Sequence, residues 1–125
     1  MTEEELTYKL LSGEIVKNDY GIFYFIEPGN WIDNDGYPTR NKLHREDGPA
    51  IEYADGFKYW YLNGKRHRED GPAAEYIDGS KEWYRNGELH REDGPAIEYA
   101  DGSKSWYLNS IPLTEEKFNK QMKLK

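Results

Sequence analysis

Apolar and polar residues alternate in short runs through the middle of the chain, and glycine-containing turn pairs break every run. Ile51-Glu52-Tyr53 is followed by Asp55-Gly56, and then by Phe57-Lys58-Tyr59-Trp60-Tyr61-Leu62, which ends at Asn63-Gly64. A period of two with aromatic and β-branched residues predicts strands, and Asp-Gly between such runs predicts a hairpin, while Asn63-Gly64 and Asn86-Gly87 are turn formers within the longer turn that joins one hairpin to the next. Taken as a two-residue loop, Asp55-Gly56 would set Tyr53 against Lys58 and Ile51 against Trp60. One face would then carry Ile51, Tyr53, Lys58, Trp60 and Leu62. The other would carry Ala50, Glu52, Ala54, Phe57, Tyr59 and Tyr61.

The same pattern returns twice. The string His44-Arg45-Glu46-Asp47-Gly48-Pro49-Ala50 recurs from His67 and from His90, a spacing of 23 residues each time. A fixed period of this size indicates an array of one small unit. Tyr53/Tyr76/Tyr99 and Trp60/Trp83/Trp106 are constant in all three units, whereas Tyr59 becomes Glu82 and Ser105. On this register the Tyr/Trp face is expected to be buried. The opposite face is expected to be wetter, with Tyr61, Tyr84 and Tyr107 as a constant row.

The ends differ in pattern. Thr2 followed by three glutamates and closed by Ser12-Gly13 predicts a capped helix over residues 2–11. Tyr20 to Ile26 predicts a strand, and Asp33-Asn34-Asp35-Gly36 reads as a turn, since the distal Glu of a calcium loop is missing. Thr114-Glu115-Glu116, with lysines gathered behind, predicts a second capped helix whose Leu113, Phe118 and Met122 could cover the last hairpin. The expected fold is mainly β. It is an antiparallel hairpin array over residues 43–112, between an N-terminal helix with an irregular β cap (1–42) and a C-terminal capping helix (113–125).

Composition sharpens this. Only 36% of the 125 residues are hydrophobic, but eleven Tyr and four Trp give large buried area per residue in a thin structure. The formal charge of −7 argues against binding a nucleic-acid backbone and favours a basic partner or plain solubility. The absence of cysteine excludes disulfides and thiolate metal sites. No apolar run approaches a membrane span and the N-terminus lacks a signal-peptide pattern, so a cytoplasmic protein is expected.

Three groups of residues are candidates for function. His44, His67 and His90, with Arg45, Arg68 and Arg91, could grip phosphates. Successive hairpins advance a sheet by about 9–10 Å, however, which is too far for the histidines to share a metal. As turn residues, the histidines would bond to a neighbouring Asp or to backbone, and the arginines would form ion pairs with Asp47, Asp70 and Asp93 that brace one unit against the next. Tyr61, Tyr84 and Tyr107, with Tyr59 and Glu52 beside them, form the preferred protein-contact surface. No nucleophile–base set or phosphate-binding glycine loop is present, and no cofactor is implied.

The unit resembles a MORN repeat, most clearly in Asn63-Gly64-Lys65-Arg66-His67 and Tyr76-Ile77-Asp78-Gly79-Ser80-Lys81, as a variant with Arg-Glu-Asp ahead of its glycine. Tandem His-Arg-Glu-Asp-Gly-Pro-Ala units ending in Leu-Thr-Glu-Glu-x-Phe also look like proteins of bacteriophage genomes. The resemblance implies an elongated hairpin sheet for protein contact, dimerisation or lipid headgroups, and no enzymatic activity; the charge of −7 argues against the lipid headgroups, and no membrane partner is expected. The expected function is a non-enzymatic protein-binding module, one that inhibits a host defence or regulatory factor if the bacteriophage likeness holds. The alternatives are a sponge for a nucleotide or other phosphorylated small molecule, and a hydrolase of a signalling nucleotide. The outer strands leave edges on which a second copy could pair.

Overall fold

The computed structural model describes residues 1–124 and is mainly β. Helix α1 (Glu3–Ser12) begins where Thr2 Oγ1 accepts the N–H of Glu5, and it stops at Gly13 in the left-handed conformation, φ 83°. Strands β1 (Ile15–Asn18) and β2 (Gly21–Tyr24) form a hairpin. The sequence pattern anticipates only β2, although Ile15-Val16 is a β-branched pair. A 3-10 turn at Arg40–Lys42 then leads into the array.

Each unit folds as two hairpins, where the sequence pattern gives one hairpin and a longer turn; the Asn-Gly pair, Asn109-Ser110 in the third unit, closes a second ladder of its own. The first pairs β3 (Ile51–Tyr53) with β4 (Lys58–Tyr59). The second pairs β5 (Tyr61–Leu62) with β6 (Lys65–Arg66) across Asn63-Gly64, both at positive φ, as a two-residue type I′ turn requires. The next unit repeats this with β7 (Ala74–Glu75), β8 (Lys81–Glu82), β9 (Tyr84–Arg85) and β10 (Glu88–Leu89). The third has β11 (Ile97–Glu98), β12 (Lys104–Leu108) and β13 (Ile111–Leu113). The first hairpins join β1 and β2 in one antiparallel sheet ordered β1-β2-β3-β4-β7-β8-β11-β12-β13, and the second hairpins of the first two units stand apart as two-stranded ribbons. Helix α2 (Glu115–Lys123), capped by Thr114 Oγ1 on the N–H of Lys117, buries Phe118 against the last strands.

The register corrects the sequence expectation by one residue. Ile51 pairs with Tyr59 and Glu52 with Lys58, so the loop holds Ala54, Asp55 and Gly56. Tyr53 N–H donates to Phe57 O at 2.9 Å, Gly56 N–H donates to Tyr53 O at 3.0 Å, and Asp55 Oδ1 accepts the N–H of Phe57. Gly56 at φ 104° closes the loop, a three-residue hairpin of type I turn plus left-handed residue. Asp78 and Asp101 repeat the arrangement with Ser80 and Ser103.

A slip of one residue turns every side chain of the second strand over. Tyr53, Phe57 and Tyr59 therefore share a face with Ile51. Trp60 and Lys58 lie on the opposite face, with Glu52. The expected common Tyr/Trp face does not exist. Across that reverse face the register runs Glu52, Lys58, Glu75, Lys81, Glu98, Lys104, so each charge lies opposite one of the other sign.

The core sits at the N-terminal end of the array. Phe23, Phe25, Leu43, Ala50, Ile51 and Tyr61 are buried together, with Val16, Trp31, Ile32, Tyr53 and Tyr59 packed against them. Further along, the buried hydrophobic residues among those described are small or single, Ala73, Ala74, Ala96, Ile97 and then Phe118, and His67 and His90 are buried beside them. Among the described residues, no helix is long and apolar enough to cross a membrane.

Candidate functional site

The repeated string folds into a self-contained connector in all three copies. Arg68 Nε donates to Asp70 Oδ1 at 3.1 Å, and its Nη1 donates to the carbonyl of Pro72 at 3.0 Å and to Glu75 at 3.3 Å. Its guanidinium lies 4.0 Å above the centroid of Trp60. Arg91 does the same with Asp93, Pro95, Glu98 and Trp83, and Arg45 with Asp47, Pro49 and Tyr24. The Arg45 guanidinium holds the Asp47 carboxyl below the usual carboxylate range. A Cβ on Gly48, Gly71 or Gly94 would stand 2.9 to 3.0 Å from the arginine Cζ, which accounts for the glycine in the string. The alanines that close it, Ala50, Ala73 and Ala96, are wholly buried.

Each histidine works as a bracket. Nδ1 of His44, His67 and His90 accepts the backbone N–H of Asn63, Asn86 and Asn109 at 2.9 to 3.0 Å. Nδ1 therefore carries no proton, and Nε2, bearing the hydrogen, faces Glu46, Glu69 and Glu92 at 3.7, 3.4 and 3.1 Å. Beside each bracket, the carbonyls of Leu43, Arg66 and Leu89 accept the N–H of Gly64, Gly87 and Ser110. The histidine thus bonds to backbone, as a turn residue would, but its carboxylate partner is Glu. The expected Arg–Asp ion pairs form within each loop, and it is the histidine and its preceding carbonyl that tie successive hairpins.

The tyrosines separate into three environments. Tyr61 is buried, and its hydroxyl accepts from Arg66 Nε at 3.2 Å. Arg66 also lies over Tyr59 at 4.7 Å and Tyr84 at 5.3 Å. Tyr84 donates to Glu82 Oε1 at 3.1 Å, and Tyr76 donates to the same oxygen at 2.8 Å. Burial, and then the bond to Glu82, push the Tyr76 phenol well above its ordinary range. Burial and the Glu82 charge raise Tyr84. The surrounding tyrosines hold the proton on Arg66 still more firmly than usual, against the cost of its burial. This network belongs to one place, because Arg66 is replaced by Leu89 and Pro112 in the later units and Glu82 by Ser105. Tyr107 is half-buried and pairs with Pro112, apart from the network. Glu52 lies opposite Lys58 on the reverse of the sheet, not beside Tyr59.

On the Tyr59 face, three turns remote in sequence meet around a cleft of about 420 Å³ lined by Asp19, Tyr20, Tyr37, Tyr53, Ala54, Asp55, Phe57 and Tyr59. Asn18 Oδ1 accepts the N–H groups of Tyr20 and Gly21, which shapes the β1–β2 turn. Asp33 Oδ1 accepts the N–H groups of Asp35 and Tyr37, which shapes the second turn, as expected for that segment. The Ala54 N–H donates to Tyr20 O at 2.7 Å and draws in the third. Tyr20 and Tyr37 stack with centroids 5.5 Å apart. Tyr53 meets Tyr59 edge to face at 5.9 Å, and Tyr76 meets Tyr59 and Phe57 in the same manner. Tyr20 and Tyr37 remain about half exposed, at 48% and 52%.

Of the tyrosines singled out as a contact row, only Tyr59 lines this cleft. Tyr20, Tyr37 and Asp19 enter it from outside the repeats, where the 23-residue pattern gives no guide. The unit-to-unit change Tyr59/Glu82/Ser105 is the signal that marks this side of the sheet as different from the constant connectors.

No family model matches the chain, and neither a curated protein nor a solved structure matches it.

Proposed function

We propose that this protein is a non-enzymatic binding module that takes a protein partner on the tyrosine face of its sheet, in the cleft formed by Tyr20, Tyr37, Tyr53, Phe57 and Tyr59. The observation that carries this reading is the cleft itself: five aromatic side chains, two of them about half exposed, converge from three turns on one concave site. Tyrosine suits such a surface because it supplies area at little entropic cost and keeps a polar tip. Protein contact is also what the MORN-like repeat implies.

The connectors support the same reading by what they already do. The sponge and hydrolase alternatives both need His44, His67, His90 or the adjacent arginines to meet a ligand. Those side chains are engaged with backbone carbonyls and N–H groups, carboxylates and aromatic rings in every copy.

The test compares capture from a lysate of the cell in which the protein acts. Wild type, the Tyr20→Ala/Tyr37→Ala double variant and the reverse-face variant Lys104→Ala are immobilised side by side. A partner retained by wild type and Lys104→Ala and lost by the double variant supports the cleft. A partner retained by all three, or none retained by any, overturns it.

A further inference from the structure

We infer that the occupant of the cleft is a cationic side chain, an arginine or lysine in a basic segment of the partner; this rests on the protein-binding reading above. Three observations lead there. First, the walls are aromatic and the rim is acidic: Asp19 and Asp55 flank the rings, and no Lys or Arg is among the lining residues. A ring presents a negative face, so rings and carboxylates together favour a cation over a neutral apolar group. Secondly, the chain carries a formal charge of −7, which attracts a basic segment at long range.

Thirdly, the protein places a cation on aromatic rings elsewhere along its length. Lys42 lies over Trp31 at 4.8 Å, Arg45 over Tyr24 at 4.0 Å, Arg68 over Trp60 at 4.0 Å and Arg91 over Trp83 at 3.9 Å. In the connectors, the stacked guanidinium also meets an aspartate two residues on, at 2.8 to 3.1 Å. A cation between aromatic rings and a turn aspartate is therefore the arrangement this chain builds three times from its own residues. Arg66 already lies over the Tyr59 ring at 4.7 Å, so the aromatic walls that the cleft leaves to a side chain from outside are those of Tyr20, Tyr37, Tyr53 and Phe57, beside the turn aspartates Asp19 and Asp55. Asp55 is fixed for this by its bond to the N–H of Phe57.

The experiment is an NMR titration of the full chain with short Gly-Ser peptides holding one central arginine, lysine or norleucine, followed through the backbone amides of Tyr20, Tyr37 and residues 54–57. The arginine and lysine peptides are expected to shift these amides, arginine at the lower concentration, while norleucine leaves them in place. The Asp19→Asn/Asp55→Asn variant keeps the Oδ1 acceptor at both positions. Its dispersed spectrum verifies the fold, and it is expected to bind the arginine peptide about fivefold more weakly or worse.

Equal shifts with norleucine would overturn the inference and leave the protein-binding reading in place, since the cleft would then be an apolar pocket. Tetramethylammonium binding as tightly as the arginine peptide would also overturn it, by pointing to a small amine. Shifts with no peptide at all would reject the cation, and the capture experiment would decide the protein-binding reading separately.

Discussion

His67 holds the backbone of Asn86, 19 residues away, by accepting its N–H on Nδ1 at 3.0 Å, with only 9% of the histidine side chain exposed. In His67→Ala the Asn86 N–H loses its acceptor and the nearly buried imidazole loses its packing, a loss of about 1–3 kcal/mol. Thermal melts should fall accordingly, and His44→Ala, at a bracket whose histidine is 20% exposed, should cost less.

Gly64 and Gly87 occupy the same place in successive turns at φ 78° and 83°, but their surroundings differ. A Cβ on Gly64 would fall 2.3 Å from the carbonyl oxygen of Asn41, whereas on Gly87 the nearest atom is Lys65 Cβ at 3.8 Å. Gly87→Ala therefore carries only the left-handed backbone cost, about 1–2 kcal/mol. Gly64→Ala should cost clearly more, because Asn41 is backbone and must move. Chemical denaturation of the two variants isolates the steric part.

Replacing Arg68 with lysine keeps the charge and loses the geometry. The Nε bond to Asp70, the planar stack on Trp60 and the fork onto Pro72 and Glu75 all depend on a guanidinium. A destabilisation of about 1–3 kcal/mol is expected. Lys58→Arg on the exposed row should be near neutral, as surface changes usually are.

Tyr53, Tyr76 and Tyr84 all have raised phenol ionisation, chiefly through burial. In the unfolded chain they ionise near pH 10, while the folded chain keeps them protonated. Their contribution to stability is complete below about pH 10 and is lost as pH rises through the folded values. Stability should fall steadily on that alkaline limb. Phenolate absorbance should show these three tyrosines ionising late, in step with unfolding, and Tyr76→Phe should flatten the fall.

Much of the fold can be read from local chemistry. Thr2 and Thr114 announce the helices because an N-cap needs only a side-chain oxygen and the next turn's N–H groups. Asn63-Gly64 announces its turn because few residue pairs tolerate two positive φ values. Asp55-Gly56 misleads by one position. The aspartate does not occupy a two-residue turn; its carboxylate bonds to Phe57 N–H inside a three-residue loop, and that single residue sends Trp60 to the far face. The cleft is not legible at all from the repeat. Tyr20 and Tyr37 reach it through turns set by Asn18 and Asp33, which the β2–β3 ladder, the Ala54–Tyr20 backbone bond and the Asn18 Nδ2 bond to Gly36 O bring to the array.

The alternating row Glu52, Lys58, Glu75, Lys81, Glu98, Lys104 has a consequence for how such a chain can change. Every unit contributes one acid and one base in the same order, so inserting or deleting a unit leaves each charge facing its opposite. The histidine bracket and the arginine bonds to the loop aspartate and the proline carbonyl recur in all three units. Length is therefore an adjustable quantity, in steps of 23 residues and about 9–10 Å of sheet, while the helices at either end stay as they are. A gene encoding this fold could lengthen or shorten its product by recombination between copies while keeping the connectors, the histidine brackets and the charge row, although the tyrosine network around Arg66 belongs to one unit boundary.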